Sequence, residues 1–528
     1  MGAAKRHIWI RENLGIVLLL IFSSLFSFAF FKGPSIFGDD PYYLQYVPQV
    51  INGTFRETIN VFSLRILMDI PIGLSVKLLG YNDIAAGIYV FATYLITVYL
   101  IYLISKEIYD KKAGLISAFL FSIYPLVVKF NSDPDPMLPL CMLLSFSTLF
   151  FIYGEGKKHE VSGYILSGIF AFMGVFVNPL AYVYVLFFSL YIFASIIYGF
   201  ARRRIIKKNP LLFFIGVLTC AIAFGYVNDF LAYGKPFYEI TFTNYYYSGA
   251  GGPDEIFYTN PSFTFYLKGF FPEIRLNEIL SPYQPSEVGF FGYATIAAVL
   301  YLLLSNEKRA RFPLIWLSFI TFYLEFGSMS VTHYFPIYKL MRFTLIASMP
   351  MVSVIGIALA KAMEGKKYAY YKKGLAFAAI AFLFVTSLPI TYYYYELNKG
   401  TMQYVKVEAE ALMNAPNAFN STIFSPSYSQ DYLEYYTGFK LSKIFLFDNG
   451  AYGGAFMPTC SDIPNDSYII IPSSQAMNDL GFYPINESWA FDPSECGLAL
   501  YADIYNSKEI SNNPFANLEF SGNIYYKG

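Results

Sequence analysis

Four carboxylates and a group of cations stand at positions where their chemistry could be joined. Asp39 and Asp40 lie side by side in IFGDDPYYLQYV, directly after the first apolar segment. Asp133 and Asp135 follow in NSDPDPM, between two later apolar segments, and His333, Lys339 and Arg342 gather in VTHYFPIYKLMRF. Arg65, in SLRILMDIPIG, is a further cation after the first acidic pair. A carboxylate can take the proton of an attacking hydroxyl, while Arg, Lys or His neutralises charge growing on a departing phosphate. Arg suits that second task because its planar fork engages two oxygens at once. Partial desolvation raises a carboxylate pKa toward neutrality and so improves it as a base. The set points to group transfer from a lipid phosphate. Asp39, Asp40, Asp133 and Asp135 are the candidate catalytic residues, and Arg342, His333, Lys339 and Arg65 the candidate lipid-phosphate or substrate ligands.

Each motif alone has a plainer reading. Adjacent aspartates before a proline make a good helix cap or turn. NSDPDP is an ordinary turn between two spans, and an Arg at a helix start can simply reach back to the membrane interface. Glu239 and Asp254 add carboxylates to a long aromatic loop. Glu325 lies inside an apolar segment, where ionisable side chains are rare, close enough to its outer end to reach water. Asp69 poses the same question near the interface.

The elements that must position these residues are membrane spans. The chain has 528 residues, 56% hydrophobic and 14% charged, against about 25% charged in soluble domains. About 20 apolar residues cross a bilayer as helix. Segments near 14–31, 84–105, 113–130, 137–153, 161–178, 180–200, 211–231, 287–304, 312–327, 343–361 and 374–395 meet or approach that length. No small-residue cleavage site follows Phe31, so the first is read as a retained helix. With a cytoplasmic N-terminus, KEIYDKK, GEGKKHE, RRRIIKK, NEKRAR and EGKKYAYYKK all fall inside, as the positive-inside rule requires. About eleven crossings then leave the C-terminus extracytoplasmic, and the sequons at Asn52, Asn420, Asn465 and Asn486 fall on that same outer side.

The outer regions are 32–83, 131–136, 232–286, 328–342 and the tail, 396–528. In the tail, STIFS, KIFLF and SYIIIPS read as strands and SQDYLEYYTG as a helix, which predicts a small α/β domain. Cys460 and Cys496 are the tail's two cysteines and a possible disulfide in an oxidising compartment. Cys141 and Cys220 read as buried apolar residues. No Gly-rich phosphate loop, CxxC pair or HExxH helix occurs, and three histidines make a His-based metal site an unpromising reading. The acidic tail argues against nucleic acid as a partner.

GDDPYYLQY after an N-terminal span resembles the first outer loop of GT-C membrane glycosyltransferases. The stretch from RILMDIPIGL to NSDPDPMLPLCMLL is similar in layout, with a short helix before the second span and a second acidic loop after the third. RFTLIASMPMVSVIGIALA resembles the late helix of those enzymes that opens on Arg and an aromatic. Over residues 10–365 the chain most resembles the protein mannosyltransferase and aminoarabinose transferase branch. The resemblance implies an all-α polytopic domain over 1–395 and inverting transfer of one sugar from a polyprenyl or dolichyl phosphate to an acceptor hydroxyl of a protein, lipid or glycan. It places Asp39 at the acidic base and Asp40 at a neighbouring position that more usually holds Glu. Asp135 falls at the second-loop acid, ahead of Asp133, and Arg342 at the cation that meets the lipid phosphate. The tail has no WWDYG-like sequence, which disfavours the oligosaccharyltransferase branch and its divalent metal. No cofactor is therefore expected to be required, with Mg²⁺ or Mn²⁺ bound through oxygen ligands as the alternative. A secondary transporter is a further alternative, disfavoured because no clear repeat is present and the acids cluster at one surface.

Overall fold

The computed structural model describes residues 3–35, 39–55, 62–156, 159–202, 209–245, 264–271, 287–328, 334, 336, 337, 339–364, 369–426, 430–441, 443–447, 460–472, 496–503 and 522–527. These are mostly helical. Apolar runs form the helices, and short polar side chains start several of them. Asn82 accepts a hydrogen bond from the Ala85 N–H (2.9 Å) to open Asp83–Ile108, and Asp110 accepts one from the Ala113 N–H (2.7 Å) to open Lys111–Ser122. Such caps satisfy N–H groups that have no partner inside the helix.

Six described helical segments are long and apolar enough to cross a membrane: Asp83–Ile108, Met137–Glu155, Pro179–Ala201, Asn209–Leu231, Met341–Ala362 and Tyr370–Lys399. Asn13–Ala29, Glu160–Phe176 and Phe291–Leu304 are apolar but shorter. The segment expected at 113–130 is two helices, Lys111–Ser122 and Pro125–Lys129. Pro125 has no N–H to continue the first. The segment expected at 312–327 is the 16-residue helix Arg311–Phe326.

Met341–Ala362 is the most enclosed of the six. It packs against Lys111–Ser122, Phe291–Leu304 and Arg311–Phe326. Its two ends differ in chemistry. Arg342 stands at the start, among carboxylates, while Lys361 at the end meets Glu307 at 2.5 Å. Tyr109, just past the end of Asp83–Ile108, donates to Glu364 (2.8 Å) in the same far cluster. At 1.5 Å per residue the Asp83–Ile108 helix is about 39 Å long, so acidic site and basic loops lie at opposite ends of the bundle.

Helix Ala369–Met413 runs unbroken across residues 395–396 into the tail. There a five-stranded sheet has the order β2-β1-β3-β5-β4, with β1 (Thr422–Pro426), β2 (Ile444–Phe447), β3 (Ser467–Pro472), β4 (Leu498–Asp503) and β5 (Gly522–Lys527). β1 is parallel to β2 and β3, and β5 is antiparallel to β3 and β4. The three expected strands and the helix between the first two (Gln430–Tyr436) are all present. A disulfide joins Cys460 to Cys496 across a Cα–Cα distance of 4.9 Å.

Candidate active site

The first acidic pair is carried by chain leaving the first helix. The Lys32 and Gly33 N–H groups donate to Ser132 Oγ (3.1 and 3.4 Å), tying the first outer loop to the second. Gly33 has φ +77°, and a Cβ there would lie 2.7 Å from that of Asp83. Only glycine accepts both conditions without strain. The second loop lies against helix Asp83–Ile108 at Gly87, where a Cβ would lie 2.3 Å from the Ser132 carbonyl oxygen.

Asp39 occupies the cap position of the short helix Asp40–Leu44, whose first turn holds Pro41, yet its side chain makes no capping hydrogen bond. Asp39 Oδ2 instead accepts from Arg342 Nη2 at 2.8 Å. Asp135 does two things. Its Oδ1 accepts the Met137 N–H (2.8 Å) and fixes the turn, while its Oδ2 accepts from Arg342 Nη1 at 3.1 Å. One guanidinium thus bridges two outer loops from the head of a third element, and charge assistance makes such bonds about twice as strong as neutral ones. The Asp39 and Arg342 side chains are 23% and 17% exposed, against 1% for Asp135. Asp39 faces the opening and Asp135 is sealed behind the guanidinium. Burial pushes the Asp135 carboxyl up, opposed by the Arg342 charge.

Asp40 and Asp133 form a second layer. Asp133 Oδ1 lies 3.1 Å from Lys32 Nζ, and Asp40 Oδ2 accepts the Ser35 N–H at 2.6 Å. Burial raises Asp40 well above the ordinary carboxylate range, and the charge of Asp133 adds to this. Burial raises Asp133 to about 6 against the opposing charge of Lys32. Lys32 is itself pushed down by burial, with Asp133 opposing. Asp39 and Asp135 therefore meet one guanidinium, and behind it Asp133 pairs with a buried lysine whose charge also reaches Asp40. Lys32 went unnoticed in the sequence; its signal was its place at the end of an apolar segment, where a long cation can turn back into the protein.

The remaining candidates divide. Arg65 donates to Tyr43 Oη, stacks over Phe62 at 4.9 Å, and its charge reaches Asp135. Asp69, one turn along from Arg65, is buried, and its carboxyl is raised by that burial. Lys339 is directed elsewhere: its ammonium donates to the Glu325 carbonyl (2.9 Å) and lies over the Tyr266 ring at 4.9 Å. Glu325 does not reach water as expected. It is 2% exposed, enclosed by packed helices, and its Oε2 accepts the Tyr266 N–H at 3.0 Å. Glu239 is buried beside Asp229, which accepts its N–H at 3.0 Å. His333 and Asp254 lie outside the described residues.

An apolar cavity of about 350 Å³ opens between the helices, lined by Phe270, Phe271, Leu317, Phe322 and Met351, with Glu325 in its wall. Met351 belongs to the helix that Arg342 heads. Among the described residues no group of three or more His, Cys, Asp or Glu side chains is placed to hold a metal ion. Asp39 and Asp135 each commit an oxygen to Arg342.

A family model described as dolichyl-phosphate-mannose-protein mannosyltransferase matches residues 66–226, a segment that holds Asp69, Asp133 and Asp135. No curated protein matches the chain in sequence. The fold is similar to that of ArnT from Cupriavidus metallidurans bound to undecaprenyl phosphate (TM-score 0.57, 10% identity, 97% of this chain and 98% of that one). It is also similar to the Archaeoglobus fulgidus oligosaccharyltransferase tethered to an acceptor peptide (TM-score 0.55, 13% identity, 90% and 71%). The oligosaccharyltransferase AglB of that organism, in complex with an inhibitory peptide and a dolichol-phosphate, matches with the same TM-score, identity and coverage. At such identities the structural likeness speaks for the fold. The resemblance to GT-C glycosyltransferases thus rests on a matching segment and a shared architecture.

Proposed function

We propose that this chain is an inverting glycosyltransferase that moves one sugar from a polyprenyl or dolichyl phosphate to an acceptor hydroxyl at the outer membrane face. The observation that carries this reading is the Arg342 fork, which joins Asp39 and Asp135 at one end of the bundle. The acceptor hydroxyl gives its proton to the Asp39 carboxylate as its oxygen attacks the anomeric carbon. The bond from that carbon to the phosphate oxygen breaks, its electron pair stays on the phosphate, and the sugar is inverted. Arg342 meets the phosphate oxygens. The exposed half of its fork, on Asp39, is the half a phosphate can displace, and displacement frees Asp39 to act as base. Asp135, behind, keeps the guanidinium in its plane. Arg65 and Tyr43 flank the same carboxylates as sugar or phosphate contacts.

The apolar cavity along the Arg342-headed helix supports a lipid carrier, as do the undecaprenyl phosphate of ArnT and the dolichol-phosphate of AglB. The far cluster of Glu307, Arg309 and Lys361 supports a cytoplasmic face opposite the acidic site. That agrees with about eleven crossings, a cytoplasmic N-terminus and an extracytoplasmic tail.

Purified full-length protein in lipid nanodiscs, given polyprenyl-phosphate monosaccharides and hydroxyl acceptors, should release polyprenyl phosphate. No release from any donor, or counterflow of a labelled solute in proteoliposomes, would overturn the reading. The likeness to the archaeal oligosaccharyltransferase favours a second reading, transfer of a lipid-linked oligosaccharide to Asn. Strict dependence on Mn²⁺ or Mg²⁺ would select that one.

A further inference from the structure

The tail does more than follow the membrane domain. Its helix Gln430–Tyr436 packs on Asp40–Leu44, the short helix that Asp39 precedes. Tyr432, fully buried, donates its hydroxyl to the Ser35 carbonyl at 2.5 Å. Ser35 in turn gives its N–H to Asp40 Oδ2 (2.6 Å) and its hydroxyl to Asn398 Oδ1 (3.1 Å), on the long helix that leads into the tail. One residue of the acidic loop is therefore held by two C-terminal elements.

The same tail helix grips the other end of the first outer region. Tyr436 donates to Asp83 Oδ1 (2.6 Å) and Tyr435 to the Asn82 carbonyl (2.9 Å), while Lys406 meets Asp83 Oδ2 at 2.5 Å. Asp83 is the residue against which Gly33 is pressed. Three tyrosine hydroxyls of one short helix are each aimed at a polar group, Tyr432 at the acidic loop and Tyr435 and Tyr436 at the start of Asp83–Ile108. Apolar packing did not require them, since Leu433 already supplies a fully buried side chain there. A buried hydroxyl is retained at a cost unless it is bonded, and the Tyr432 bond falls on the segment that carries the acidic pair.

We infer that the tail helix is a positioning element of the acidic loop, acting through Tyr432 and Ser35 on Asp40, and so setting where Asp39 meets Arg342. This rests on the proposed function for its catalytic consequence, but not for its structural one. Without the Tyr432 hydroxyl, Ser35 loses an anchor, Asp40 loses the fixed N–H that orients it, and the adjoining Asp39 peptide gains freedom.

The test uses full-length protein in nanodiscs, with Tyr432→Phe as the perturbation and Tyr435→Phe as the control on the same helix. Hydrogen exchange of peptides covering residues 30–44 should quicken roughly tenfold in Tyr432→Phe, as expected for one lost buried hydrogen bond. Peptides from Asp83–Ile108 should keep their rates, and Tyr435→Phe should leave residues 30–44 unchanged. With a polyprenyl-phosphate monosaccharide as donor, kcat should fall about tenfold while its KM holds, because the Arg342 phosphate contact is intact. Unchanged exchange at 30–44, or equal acceleration over every helix, would overturn the inference. If exchange responds as described and no donor is turned over by the parent protein, the proposed function fails and the positioning role stands.

Discussion

Arg342→Lys isolates what the fork contributes. The arginine holds Asp39 Oδ2 at 2.8 Å and Asp135 Oδ2 at 3.1 Å through two different nitrogens. A lysine keeps the charge but is a single point and cannot bridge both positions. Alanine would be the wrong choice, because it strands a carboxylate that is 1% exposed. Removing one partner of a buried pair costs about 3–5 kcal/mol, which would confuse folding with function. With lysine, one bond to a charged oxygen is lost in the transition state, about 1.5–3 kcal/mol. At about 1.4 kcal/mol per decade that is roughly a 10- to 150-fold fall in kcat/KM. Polyprenyl phosphate release, measured at limiting and saturating donor, reads it directly, and thermal unfolding checks that the fold survives. A parallel titration compares undecaprenyl phosphate with undecaprenol. The parent should prefer the phosphate, and Arg342→Lys should lose most of that preference. Undiminished kcat/KM, or an unaltered preference for the phosphate, would refute the role given to the fork.

Asp39→Asn should lower kcat by about 10²–10⁴, the usual span for a general base, while undecaprenyl phosphate binds at least as tightly, since a competing carboxylate has gone; turnover above a tenth of the parent would sink the assignment. Asp133 and Asp431 are both raised by burial to about 6. A raised carboxyl contributes stability that is fully present below its unfolded pKa and lost as pH rises through the folded one, so the unfolding temperature in detergent should fall as pH rises from about 4 through about 6. Asp133→Asn should flatten part of that fall, and an identical slope would count against a buried titrating acid. Reducing Cys460–Cys496, which closes a span of 36 residues, removes roughly 4 kcal/mol in the chain-entropy account. Exchange in β3 and β4 should then quicken with the bundle unaffected; equal rates with and without reductant would contradict it.

How much of this was legible in the sequence follows from which interactions are local. Apolar length named the helices, and the short runs STIFS, KIFLF and SYIIIPS named β1, β2 and β3 with the helix between the first two. β4 and β5 were missed, because LALYAD and GNIYYK lie apart among polar stretches and pair through a sheet the sequence does not display. The break at Pro125 and the 45-residue helix across residue 395 were missed for a related reason. Hydropathy marks where a chain is apolar, while backbone N–H groups and packing decide where helices end.

The site shows the same division more sharply. DDP reads as a cap as readily as a base, and the cap position is indeed where Asp39 stands. What withdraws its side chain from capping is a guanidinium 303 residues further on, and no local pattern carries that information. Asp40 shares the dipeptide and meets the opposite environment, fully buried and bonded to the Ser35 N–H, where burial raises its carboxyl well above the ordinary range. The helix starts at Asp40, with Pro41 in a first turn that suits its fixed φ. Asp39 is left as the last residue free to turn toward the opening, so the feature that made the motif look like an ordinary cap is also what directs its first carboxylate to Arg342.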